Sequence, residues 1–164
     1  MAAKNRITRS IAPKSIFESA ISVISSSVSF DQGDLLVFDA TNKVLKKPAA
    51  ETEGNTFLGI AKVSISSGKL VSPYQGTAVD AAAAISDIPG PAYGVIAKLI
   101  AKTGDAFTAG QEVYLDPVSG SQNVQAAGTK AIGIYVGPAI ASATAGQEIE
   151  VHLGCRYPED AIKF

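Results

Sequence analysis

Hydrophobic and polar residues alternate most cleanly in the second half of the chain. Ile149, Val151 and Leu153 fall on one side of an extended segment, and Glu148, Glu150 and His152 on the other. That is the pattern of a half-buried strand with a wet outer face. Tyr93, Val95, Ala97, Leu99 and Ala101 share a face in the same way, as do Ile132, Ile134 and Val136. Residues 112–116 form a further strand before a turn at 117–120. Nearer the N-terminus, residues 34–39 are a short apolar run between turn residues, which predicts a strand covered on both faces. Residues 44–47, 57–65 and 69–74 read as additional strands, with Gly59 inside the second of these.

Two stretches read differently. Ser15 and Glu18 have capping-box spacing, and Ile16, Phe17, Ala20, Ile21 and Ile24 can form one helical stripe. They predict a short helical turn leading into a strand near Val28 and Phe30. The alanine run 81–84 predicts another helical turn, ended by Asp87-Ile-Pro-Gly-Pro91. Residues 1–15 lack an apolar period and read as an extended N-terminal arm, followed by a single β domain over 16–164.

Within that domain two segments, about 30–61 and 107–135, repeat one another. Each reads Phe, two residues, Gly, a strand ending in Asp, a turn, and a strand carrying Gly between apolar residues. Phe30, Gly33 and Asp39 align with Phe107, Gly110 and Asp116, and Gly59 aligns with Gly133. Gly33 and Gly110 suit a tight entry to a strand. Asp39 and Asp116 can accept from amides of the following turn. Glycine inside a strand marks a bulge or close packing. Two such units must close or stack to bury their apolar faces. The expected fold is therefore mostly β, a compact β-barrel or β-sandwich of short antiparallel strands.

Composition narrows the function. Only 18% of the 164 residues are charged, and the net charge is −1, so no global field favours nucleic acid or an anionic membrane. The unevenness is local: Lys4, Arg6, Arg9 and Lys14 precede the first acid, Glu18. No secretory leader and no run of membrane-spanning length is visible, which leads us to expect a soluble protein made in a reducing cytosol. His152 and Cys155 are the single histidine and the single cysteine. Two ligands fall short of the three or four of a zinc site, and no third group is placed to orient a Cys–His nucleophile. Residues 39–43 lack the carboxylates of a calcium loop, and no Gly-rich phosphate motif is present. The sequence thus predicts no catalytic residue, metal, cofactor or small-molecule substrate.

The motifs at Phe30-x-x-Gly33-Asp34-Leu35-x-Val37 and Phe57-Leu-Gly-Ile-Ala61, taken in order, resemble the capsid cement proteins of tailed bacteriophages. So do Gly110-Gln-Glu-Val-Tyr-Leu-Asp116, Ala131-Ile-Gly-Ile134 and Glu148-Ile-Glu-Val-His-Leu153. The resemblance covers roughly residues 28–154; the Ala- and Pro-rich stretch 77–91 has no counterpart in it. It implies a structural virion protein on the outer capsid surface, often a homotrimer, whose partner is the major capsid protein. On that reading the arm, with Lys4, Arg6, Ile7, Arg9, Ile11 and Lys14, is expected to grip the capsid. The competing reading is a carbohydrate-binding or adhesin-type β module; the absence of Trp and the few aromatics weigh against it.

Overall fold

The computed structural model describes residues 3–10, 18–19, 29–39, 41, 44–61, 64, 86–87, 95–116, 118 and 122–153. Eleven strands are present among them: β1 Arg6–Ser10, β2 Glu18–Ser19, β3 Leu35–Asp39, β4 Val44–Lys46, β5 Phe57–Ala61, β6 Ser86–Asp87, β7 Val95–Ala101, β8 Glu112–Leu115, β9 Asn123–Gln125, β10 Ala131–Tyr135 and β11 Glu148–Leu153. A 3-10 helix over Glu51–Thr56 joins β4 to β5. The protein is mostly β, as its alternating pattern and turn residues require, and contains a closed five-stranded barrel.

The strands form two sheets. One runs β2-β6-β5-β3-β4 and the other β1-β7-β11-β10-β8-β9, with β9 returning to pair with β7. Apart from β1, the two orders match strand for strand, and so do the registers. Leu36 opposes Gly59 and Val37 opposes Phe57 in the first unit. Val113 opposes Gly133 and Tyr114 opposes Ala131 in the second. Each pair has a bulge at the same place, so each internal glycine sits beside an extra residue that re-aims its strand. The entry turns match as well. The Gly33 N–H donates to the Ala61 carbonyl at 2.9 Å, and the Gly110 N–H donates to the Tyr135 carbonyl at 2.8 Å. Their φ angles, +95° and +86°, lie in the left-handed region that glycine enters without a Cβ penalty. Phe30 and Phe107 occupy corresponding buried positions, and the Asp39 and Asp116 carboxylates accept from the amides of Thr41 and Val118.

In the second unit β7, β11, β10, β8 and β9 form a closed ring. Its last contact, Ile100 against Asn123 and Ala101 against Val124, is parallel, so the ladders are not all antiparallel. One continuous core lies within and beside the ring. Leu99, Val113, Leu115, Val151 and Leu153 pack in it with Leu35, Val37 and Ile60 of the first unit. The two units therefore share a core.

Residues 6–10 of the extended arm form β1, antiparallel to β7 with Arg6 opposite Lys98 and Ser10 opposite Val95. Two expectations change. At Glu18 and Ser19 the expected helical turn is strand instead, because their backbone pairs with Asp87 and Ser86; the rest of that expected turn, 15–17 and 20–28, lies outside the described residues. Strand β10 does not turn Ile132, Ile134 and Val136 to one side. The bulge around Ile132 shifts the phase, so Ile132 and Tyr135 are buried, Ile134 is half-buried and Val136 is exposed. The expected strand at 69–74 and the alanine run 81–84 lie outside the described residues.

Candidate interaction surface

With β1 as part of a sheet, the arm residues acquire definite places. Asn5, just before β1, is 4% exposed. Its Nδ2 donates to the carbonyls of Gly33 at 3.1 Å and Gln122 at 2.9 Å, and its Oδ1 accepts the Ile100 N–H at 2.8 Å. The position explains the geometry. On this side of β7 the ladder with β1 ends at Lys98, and the parallel ladder with β9 begins at Ile100. The Asn5 side chain continues the β1 ladder across that junction and ties it to the entry turn of β3.

Arg6 follows on the outer face. Its guanidinium engages the Glu148 carboxylate through both terminal nitrogens, the second bond measuring 2.9 Å, and Lys98 stands 3.8 Å from the same carboxylate. The Arg6 hydrogen bond holds the Glu148 carboxyl below its ordinary range, and the same bond raises the guanidinium further. The Thr8 hydroxyl donates to the Ile96 carbonyl at 3.0 Å. Lys4 is exposed, while the backbones of Ile7 and Arg9 pair with Ala97 and Ile96. Ile11, Lys14 and Cys155 lie outside the described residues. The structure thus places Arg6, Ile7 and Arg9 on one bound strand with Lys4 just before it, Arg6 being already engaged by an acid of β11.

Ion pairs elsewhere join elements of the body. Glu53 of the 3-10 helix accepts from the amides of Ala49 at 2.6 Å and Ala50 at 3.1 Å, and contacts the Lys46 ammonium. Burial opposes ionisation of Glu53, but Lys46 and the two amides outweigh it and lower its pKa. Glu51 reaches the second unit: its Oε1 accepts from the Thr129 amide, from the Thr129 hydroxyl at 3.0 Å and from the Lys130 amide at 3.2 Å. The Thr129 amide bond leads in holding its pKa below the ordinary value. Lys102 lies 3.5 Å from the buried Asp116 carboxylate and donates to Gln125 at 3.1 Å. His152 is half-buried on β11, opposite Ile96 on one side and Ile134 on the other. Among the described residues no group of three or more His, Cys, Asp or Glu side chains is placed to hold a metal ion.

Neither Asn5 nor Glu148 stands out in sequence as a site residue. The partners of Asn5 lie 28, 95 and 117 positions away, so no local pattern marks it. A wet-face glutamate such as Glu148 is likewise ordinary until β1 is seen beside β7. Compared with known proteins, the chain matches no family model, no curated protein and no solved structure.

Proposed function

We propose that the chain is a structural virion protein that binds the outer surface of an assembled phage capsid and stabilises contacts between major capsid subunits, acting as a homotrimer. It is made in the host cytoplasm and ends on the virion. The observation that carries this reading is the order of motifs resembling the cement proteins, from Phe30-x-x-Gly33-Asp34-Leu35-x-Val37 to Glu148-Ile-Glu-Val-His-Leu153. Their placement supports it: the motifs build two matched units around one core, a rigid body suited to spanning a subunit boundary. The bound strand β1 changes how the arm serves that role. It offers the exposed Lys4 from a fixed position, so less ordering cost falls on binding than for a free tail.

The test is co-sedimentation of the purified protein with undecorated heads across a salt series. The expected result is saturable attachment that weakens with salt, because exposed ion pairs are screened over about 8–10 Å at ordinary ionic strength. Lys4→Glu, which leaves Asn5 and β1 in place, should weaken attachment further. Failure to bind heads at any salt concentration, with binding to a glycan array instead, would replace this reading with the carbohydrate-binding one.

A further inference from the structure

Strands β7, β11, β10, β8 and β9 close the ring by themselves, and β1 is added outside it. One edge of β7 is taken by β11. On the other edge β9 pairs with Ile100 and Ala101, and β1 covers Val95 to Lys98. Strand β1 is therefore a strap over an edge that the ring leaves open. The strap is fastened at both ends. Asn5 holds the Ile100 amide and the Gly33 and Gln122 carbonyls, and Glu18 and Ser19 pair with β6 in the other sheet. Between these points its ladder to β7 is interrupted by the register shift between Ile7 and Arg9. A bulge of that kind leaves a residue outside the ladder.

The charges around the strap depend on one group. Arg6 stands opposite Lys98, and like charges directly opposite one another weaken a strand pair. Glu148 offsets this from β11. Its carboxylate takes both terminal nitrogens of the Arg6 guanidinium, and Lys98 lies 3.8 Å from the same carboxylate. Glu150 stands opposite Lys98 on the far side of β7, and His152 opposite Ile96. On the strap side, the Lys4 carbonyl accepts from Arg6 at 3.3 Å, and the Arg9 backbone pairs with Ile96. Glu148 is thus a counter-ion shared by two cations on neighbouring strands. Without its charge, Arg6 loses a two-point partner and still faces Lys98.

We propose that β1 is a charge-latched strap with Glu148 as the latch: neutralising this carboxylate lets residues 6–10 lift from β7 while the five-stranded ring stays closed. Arg6 holds the Glu148 carboxyl below its ordinary pKa. The latch is therefore closed above the folded pKa and opens as pH falls through it. Lifting uncovers the backbone of β7 over 95–98, the kind of strand edge that folded proteins keep covered. The inference concerns the chain alone and goes beyond the capsid reading.

The test is native-state amide hydrogen exchange, followed by NMR in low urea, on the intact chain, Glu148→Gln and Glu148→Gln with Lys98→Gln. Circular dichroism checks folding. In the intact chain the β1 amides should be less protected than those of β10 and β11. Their exchange should also be nearly insensitive to urea, the mark of a local opening that exposes little surface. At pH 7, Glu148→Gln should lower β1 protection about three- to fivefold, the scale of one well-formed exposed ion pair. Adding Lys98→Gln should restore part of it, because the like-charge pair is gone. Acidifying the intact chain should bring β1 protection down towards that of Glu148→Gln, which should itself lose less. Glu150 is present in both proteins, so its own response cancels in that comparison. The acid series on the intact chain keeps the test available if Glu148→Gln fails to fold. If β1 and the ring share one protection and one urea dependence, the strap opens only with the whole domain and the proposal is overturned. Unchanged β1 protection in folded Glu148→Gln, or no recovery in the double variant, would overturn it equally.

Discussion

Replacing Asn5 with alanine should destabilise the whole domain, although the residue lies near the chain terminus. The change deletes three hydrogen bonds, to Gly33, Gln122 and Ile100, that join β1, the entry turn of β3, the start of β9 and the end of β7. It also leaves the Ile100 N–H without its partner in a position closed to water. Net hydrogen bonds contribute about 1 kcal/mol each, and a stranded buried donor costs about 1–3 kcal/mol. The three bonds alone give a loss of about 3 kcal/mol, and the stranded donor adds to it. In a domain of this size that corresponds to a fall in Tm of about 6–12 °C. Urea unfolding followed by far-UV circular dichroism measures it. Asn5→Asp should be worse than alanine at neutral pH, because its carboxylate would face the Gly33 and Gln122 carbonyls. That repulsion raises the folded-state pKa of the aspartate, so the variant should regain stability as pH falls and its carboxyl is protonated. If Asn5→Ala unfolds at the wild-type midpoint, or Asn5→Asp equals alanine at every pH, the pinning role of Asn5 is refuted.

Other outcomes follow from the same contacts. Glu51 and Glu148 have folded-state pKa values below their ordinary 4.5, so the stability they contribute is present above that value and lost as pH falls through the folded pKa. Glu51→Gln and Glu148→Gln should each flatten the acid limb of a stability–pH curve, and an unchanged limb counts against the carboxylate contacts. Gly133→Ala places a Cβ 2.6 Å from the His152 carbonyl oxygen and 2.8 Å from Val151 Cγ1, pressing β10 away from β11. It should cost about 1–3 kcal/mol in chemical denaturation, the usual scale of overpacking. The His152→Ala, Cys155→Ala double variant should bind heads like the wild type, and stoichiometric zinc in the purified protein, lost in that variant, would contradict this.

Much of the body was legible because strands with one dry face announce themselves by alternation. Ile149, Val151 and Leu153 are buried as their spacing requires, and so are Ala97, Leu99 and Ala101. The repeat was legible because its turns need particular residues: glycine at a positive φ and aspartate where amides must be accepted. The bulge in β10 was not, since a bulge is a two-strand property and the residues of β10 alone keep a plausible alternation. Strand β1 was missed for a similar reason. Its polar side chains carry no period, and its place comes from backbone pairing with β7 together with Asn5 and Arg6, whose partners lie far along the chain. Strand β9 is three residues long and pairs with β8 and β7, so its own sequence gives little to read.

The position of β11 has a consequence for synthesis. It is the last described strand to leave the ribosome, yet it lies in the sheet between β7 and β10. Strand β6 stands likewise between β2 and β5, the last strand of its unit to be made. Neither unit can therefore be completed from its N-terminal end forward. During translation, at roughly 5–20 residues per second, β7 and β10 wait with open edges until residues 148–153 arrive to join them. Exposed edges of that kind are where nascent chains pair wrongly. The barrel of the second unit closes only once residues 148–153 have been made, and a chain stopped short of Glu148 would be left with two unpaired edges instead of a shorter barrel.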